Sequence, residues 1–227
     1  MRKSMHRYLA YPQQKILFSP IPKLMLRANG IEPKWGAINS KSYNTFGLVP
    51  MINRGDIRES DIHDYWSFAV VRNPYTRVVS AYVDKFIKHN MVYDGTKVVA
   101  DATGQLYPTF QSFVRYLSRT NPEALDEHWR PQQSFLDGFT FDFIGRFEQY
   151  GEVMDRLFSL LGIEPTDDHW NKTEYRGSET PEAHTIPCNQ FGDKLPSAAD
   201  LYTEELREIV RAVYKRDFTL YYSSELS

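Results

Sequence analysis

The stretch Phe68-Ala-Val-Val-Arg-Asn-Pro-Tyr-Thr-Arg-Val-Val-Ser-Ala-Tyr82 constrains the fold more than any other part of the chain. Trp66 to Val71 is a short apolar run, which predicts a buried strand. Arg72 follows at its carboxyl end, and Asn73-Pro74 turn the chain into a helix, since proline is tolerated in a first helical turn. That helix places Val78, Val79, Tyr82, Val83, Phe86 and Ile87 on one side at i, i+3/i+4 spacing. A strand running directly into a helix is the repeating piece of an α/β protein, and ligands in such folds bind beyond the carboxyl ends of the strands. Arg72 supplies a planar fork of donors, Ser80 a hydroxyl in the second turn, and Arg77 a further cation on the same helix. This set suits a phosphate on a nucleotide.

The rest of the chain supports the same class. Lys15 to Ser19 reads as a first buried strand, and residues 28 to 60, rich in Gly, Pro, Asn and Ser, read as loop with one short helix. Residues 91 to 108 read as an exposed insertion. Thr109 is placed to cap a helix that carries Phe110, Phe113, Val114 and Leu117 inward. Residues 119 to 137 read as a loop with short turns, and Thr140 to Ile144 as a strand flanked by Gly138 and Gly145. The helix starting near Phe147 buries Val153, Leu157, Leu160 and Leu161 and stops at Gly162. Residues 163 to 196 read as irregular, and a last helix over 203 to 215 presents Leu206, Ile209, Val210, Val213 and Tyr214. Strands alternating with helices predict a parallel sheet covered by helices on both faces, a three-layer α/β fold. With no internal repeat and no linker, residues 1 to 227 read as a single domain.

Composition narrows the function classes. A net charge of −2 gives no global basic field, so no nucleic-acid partner is expected and any anion site is local. Cys188 is the single cysteine, which excludes an internal disulfide framework and a cysteine-rich zinc site and agrees with a cytoplasmic location. His6, His63, His89, His169 and His184 have no metal-ligand spacing, so no metal is expected. The basic start Met1-Arg-Lys-Ser-Met-His-Arg-Tyr8 is not followed by a long apolar run, and no transmembrane span is predicted. An ordinary Walker loop is absent, so the sequence does not predict nucleoside triphosphate hydrolysis.

Arg72, Pro74, Arg77, Ser80 and Tyr82 spell Arg-x-Pro-x-x-Arg-x-x-Ser-x-Tyr, followed by Asp84-Lys-Phe86. This resembles the 3′-phosphate-binding segment of sulfotransferases that use 3′-phosphoadenosine 5′-phosphosulfate (PAPS), with the nearest likeness to carbohydrate sulfotransferases of the chondroitin and dermatan type. Asp126-Glu-His-Trp-Arg-Pro-Gln132 and Asp142-Phe-Ile-Gly-Arg-Phe-Glu148 are similar to further family segments in the same order. The resemblance implies a three-layer fold related to the P-loop kinases, PAPS as donor, and a carbohydrate or glycolipid-like acceptor. Animal members are typically membrane-anchored Golgi enzymes, against which this chain is expected to be a bacterial-type soluble form or a trimmed piece of a longer protein.

Sulfuryl transfer needs the donor held, the leaving oxygen neutralised and a proton taken from the acceptor, and in principle needs no metal. The resemblance gives Arg72 and Ser80 as 3′-phosphate ligands. Arg77 is a second ligand or the partner of an acidic core neighbour. His128 is the leading base because imidazole titrates near neutrality, and Glu127 is its competitor. Trp129, Arg130 and Gln132 are expected to shape the acceptor site, and Arg146 to reach a ligand or an acid such as Glu148. One departure is plain. The family pattern after the first strand is Pro-Lys and a loop of small residues that holds the 5′-phosphosulfate. Here Pro22-Lys23 runs straight into Leu24-Met-Leu-Arg-Ala-Asn-Gly30. Lys23 is thus either the loop lysine that steadies the leaving oxygen or a helix lysine brought next to Pro22, and weakened transfer is expected. The residues do not encode the acceptor or the oligomeric state.

Overall fold

The computed structural model describes residues 8–10, 66–165 and 181–225. The expected first strand over 15 to 19, the loop of 28 to 60, Pro22 and Lys23 all lie outside the described residues. Among the described residues, three strands form a parallel sheet in the order β1 (Tyr8–Ala10), β2 (Trp66–Val71), β3 (Phe143–Arg146). β2 lies in the middle, with Tyr8 paired to Trp66 on one side and Phe68 to Phe143 on the other. This is the parallel α/β arrangement that the sequence predicts, as far as the described strands go.

Contacts divide the chain into two compact units, one of residues 1–72 and 135–172, the other of 73–134 and 173–227. In the first unit, β2 and β3 pack on helix Tyr150–Leu161, where Phe68 and Val70 meet Val153, Met154, Leu157 and Phe158. That helix ends at Gly162, whose φ of +64° favours glycine. β3 begins later than the expected strand and runs through Gly145 instead of stopping before it. A Cβ on Gly145 would lie 2.7 Å from Val153 Cγ2, so the missing side chain lets the helix approach the strand. At its start, β2 is tied across the sheet by Asp142, whose Oδ2 accepts from the Ser67 N–H at 2.7 Å and from its hydroxyl at 3.1 Å.

The second unit is built of helices: α1 (Pro74–Tyr82), α2 (Asp94–Thr103), α3 (Phe110–Arg119), then, past the first unit's helix α4 (Tyr150–Leu161), α5 (Glu204–Val213) and α6 (Lys215–Tyr221). α1 continues as a π-helical segment, Val83–Lys88. Of the residues on the expected face, Val78, Val79, Tyr82, Val83 and Phe86 are buried and Ile87 is half-buried. Thr109 caps α3 by accepting from the Ser112 N–H, and Phe110, Phe113, Val114 and Leu117 are buried. The core is rich in rings: Tyr82 stacks with Phe86 and Phe113, and both phenylalanines pack on Trp129. Each such ring, fully buried, contributes about 1.5–3 kcal/mol.

Two expectations in this unit need correction. Residues 91 to 108 are not merely an exposed insertion, because α2 forms there and buries Thr96 and Val99. The final helix is two helices, since α5 breaks at Tyr214 and α6 follows.

Candidate functional site

Arg72 stands immediately after β2, half-buried, with its guanidinium carbon 4.7 Å from the centre of the Phe147 ring. Stacking on a ring face holds a guanidinium in one plane, the plane in which it donates to an anion. Val71 pairs with Arg146 in the sheet, so both arginines mark the carboxyl ends of β2 and β3. Asn73 caps α1 by accepting from the Tyr75 N–H at 2.9 Å, and Pro74 opens the helix. Ser80 is half-buried on α1. Arg72 belongs to the first unit and Ser80 to the second.

Arg77 is 1% exposed. Its terminal nitrogens donate to the carbonyls of Arg130 at 2.7 Å and Glu127 at 3.2 Å. Arg77 thus braces the backbone of the segment 126 to 132. The acidic neighbour is Asp217 on α6, fully buried, which accepts from the N–H groups of Gln132 and Gln133 at 2.8 Å each. Burial pushes the Asp217 carboxyl up, while the Gln133 and Gln132 amides and Arg77 pull it back. Asp217 lies beyond the helix that the sequence predicts over 203 to 215, and no local pattern marks it as a partner of residues 132 and 133.

His128 is 6% exposed on this braced segment. Its Nδ1 lies 2.7 Å from Asp126 Oδ1, and the same oxygen accepts its backbone N–H at 2.9 Å. Asp126 Oδ2 accepts from the Tyr93 hydroxyl at 2.8 Å. The Tyr93 ring meets the imidazole edge-to-face at 4.7 Å, and the Lys85 ammonium lies 5.0 Å from the centre of that ring. Burial works against ionisation of Asp126, but the bonds from His128 and Tyr93 outweigh it and hold the carboxyl below its ordinary value. Asp126 is therefore an anion that only accepts. Burial and Asp126 drive the Tyr93 phenol up, which keeps it a donor. Burial lowers Lys85, against the pull of Asp126 and Glu127. Glu127 itself is exposed.

A backbone turn sets Tyr93 in place. The π segment closes with the His89 N–H on the Asp84 carbonyl, and Asn90 and Met91 then take φ of +43° and +59°. That left-handed region costs a side-chain-bearing residue roughly 1–2 kcal/mol. The Thr96 hydroxyl, buried at the start of α2, bonds the carbonyls of Met91 and Tyr93 and secures the turn. Trp129 is buried in the core, with Tyr214 donating to its carbonyl. Cys188 is buried, which pushes its thiol up to about 11 and makes it a poor nucleophile at neutral pH. Among the described residues no cluster of His, Cys, Asp and Glu could hold a metal ion, and no helix is long and apolar enough to cross a membrane.

The sequence matches the sulfotransferase family over residues 34–223. It is 31% identical over 125 residues to carbohydrate sulfotransferase 14 of Homo sapiens, a stretch covering 48% of this chain and 33% of that protein. Carbohydrate sulfotransferase 14 of Danio rerio is 30% identical over 153 residues, 60% of this chain and 42% of the relative. Carbohydrate sulfotransferase 11 of Mus musculus is 29% identical over 143 residues, 55% of this chain and 39% of the relative. The matched stretches thus span less than half of each relative. No solved structure matches significantly.

Proposed function

Because the chain belongs to the sulfotransferase family, we propose that it moves a sulfuryl group from PAPS to a hydroxyl of a carbohydrate-type acceptor, with residues 1–227 as one three-layer sulfotransferase domain. The observation that carries the reading is His128. A nearly buried imidazole, bonded through Nδ1 to a carboxylate, has its basic electron pair at Nε2. It lies in the Asp126-to-Gln132 segment, one of those on which the family resemblance rests. Glu127, by contrast, is exposed.

In the proposed reaction the acceptor oxygen forms a bond to sulfur as the bond from sulfur to the 5′-phosphate oxygen breaks. The acceptor proton passes to Nε2 of His128, and 3′,5′-ADP departs. Arg72 and Ser80 hold the 3′-phosphate. Lys23 neutralises the leaving oxygen, and Pro22, its neighbour in the sequence, belongs to the same donor-binding set. Arg77 acts behind the site as a brace. The fit of an anion to Arg72 rests on its place at a strand end beside Phe147. A cytoplasmic location belongs to the same proposal, on the single buried Cys188.

A second reading is favoured by Pro22-Lys23 running directly into Leu24: the chain binds nucleotide or glycan without turnover. Calorimetry with 3′,5′-ADP and 5′-AMP, followed by transfer from labelled PAPS to a panel of sugar and glycolipid hydroxyls, separates the two. The main reading expects preference for the 3′-phosphate, weakened about tenfold or more in Arg72→Ala, and transfer that His128→Ala removes. Binding without transfer selects the second reading. No discrimination between the two nucleotides sinks the donor assignment.

A further inference from the structure

Asp126 has more contacts than a chance neighbour of His128 would need. One oxygen faces the ring Nδ1 at 2.7 Å and receives the backbone N–H of His128, while the other receives Tyr93. An imidazole has two tautomers, and only the one with its proton on Nδ1 leaves Nε2 able to accept. An acceptor-only carboxylate at 2.7 Å selects that form. The carboxylate would be free to rotate if it had one partner, but bonds on both oxygens fix its plane.

Gly95 gives independent support. A glycine in the first turn of α2 costs roughly 0.8–1.0 kcal/mol relative to alanine. A Cβ there would lie 2.7 Å from Tyr93 Cε1, 2.9 Å from Asp126 Oδ2 and 3.0 Å from the Trp129 ring. The bare position admits the Tyr93–Asp126 pair, and it is the only glycine in α2. Asp126 and Tyr93 face the imidazole directly, Glu127 is its neighbour in the chain, and Lys85 on the π segment and Asp94 at the start of α2 act on the Tyr93–Asp126 pair behind it.

We infer that Asp126, clamped by Tyr93 and seated against Gly95, is a positioning residue that locks His128 as the Nδ1–H tautomer and so assigns Nε2 as the base. The inference rests on His128 being the base, and the test separates the two claims. Nitrogen-15 spectra of the full chain at mildly alkaline pH report the His128 tautomer without any turnover. The expected spectrum shows the proton on Nδ1. Asp126→Asn converts this to a mixture and lowers kcat about 10²-fold or more, with KM for PAPS and affinity for 3′,5′-ADP little changed. Tyr93→Phe, which keeps the carboxylate, gives a smaller loss of the same kind, and Gly95→Ala resembles it.

A wild-type proton on Nε2 overturns the inference, as does an Asp126→Asn protein with unchanged tautomer and kcat. If Asp126→Asn does not fold, the wild-type spectrum and Tyr93→Phe still decide. Full activity in His128→Ala would instead remove the base assignment, whatever the tautomer.

Discussion

Asp217 and Asp126 are both partly or wholly buried aspartates, yet their surroundings push them in opposite directions. Asp217 has no exposure and answers two backbone N–H groups. Replacing it with alanine orphans those donors and leaves the buried Arg77 short of an opposing charge. Asp217→Ala is expected to cost roughly 3–5 kcal/mol, read as a drop in urea midpoint. A loss within the scatter of surface substitutions would show that the bonds to Gln132 and Gln133 carry no weight. Asp126 is held below its ordinary value, so the folded state releases its proton at lower pH than the unfolded chain. Its stabilisation is present above the ordinary aspartate range and disappears as pH falls through the folded value. The stability gap between wild type and Asp126→Asn is therefore expected to be widest near neutrality and to close in acid. A gap independent of pH would contradict the bonding described for Asp126. Sequence alone exposes such residues unequally. Asp126 stands two positions from His128, whereas Asp217 answers amides 84 and 85 positions away. No local pattern carries that pairing.

Elements were most legible where one face alone is apolar. α1 and α3 have buried faces at regular spacing, and Thr109 caps α3 where its position indicates. α2 is not legible in the sequence, because it buries only Thr96 and Val99 and leaves Val98 exposed, without an apolar stripe. β3 was misplaced because Gly145 looks like punctuation. It serves close packing instead, since its absent Cβ is what admits Val153. Gly145→Ala is accordingly expected to destabilise the protein by about 1–3 kcal/mol through overpacking of β3 against α4. Adding Val153→Ala should recover part of that loss, because the contact at 2.7 Å is with the valine methyl. A double variant no more stable than Gly145→Ala would mean the strain lies elsewhere.

At the scale of the whole chain, neither compact unit is a continuous stretch. Residues 73–134 provide His128, Asp126 and Tyr93, but the second unit also needs residues 173–227. α5 packs on α3 through the buried Leu206 and Val210, and Tyr214 donates to the Trp129 carbonyl. Tyr75 meets Phe218 at 4.9 Å, and Asp217 holds the amides behind the His128 segment. The far end of the sequence thus supports the near-buried imidazole, and one fold cannot be divided into a binding half and a supporting half by cutting the chain once. Deleting residues 204–227 removes the packing of α5 on α3, the Tyr214 bond to the Trp129 carbonyl and the Asp217 bonds to the amides of Gln132 and Gln133. The truncated chain is expected to lose a cooperative thermal transition, to bind a hydrophobic dye, and to lose the Nδ1–H signal of His128 together with transfer activity. Single variants on the outer surface of α5, such as Glu208→Gln, should leave all four unchanged, because the Arg211 contact they remove is exposed. A truncated protein that melts cooperatively at the wild-type temperature would show that residues 73–134 fold without the closing helices, and would move the support of His128 onto α2 and α3 alone.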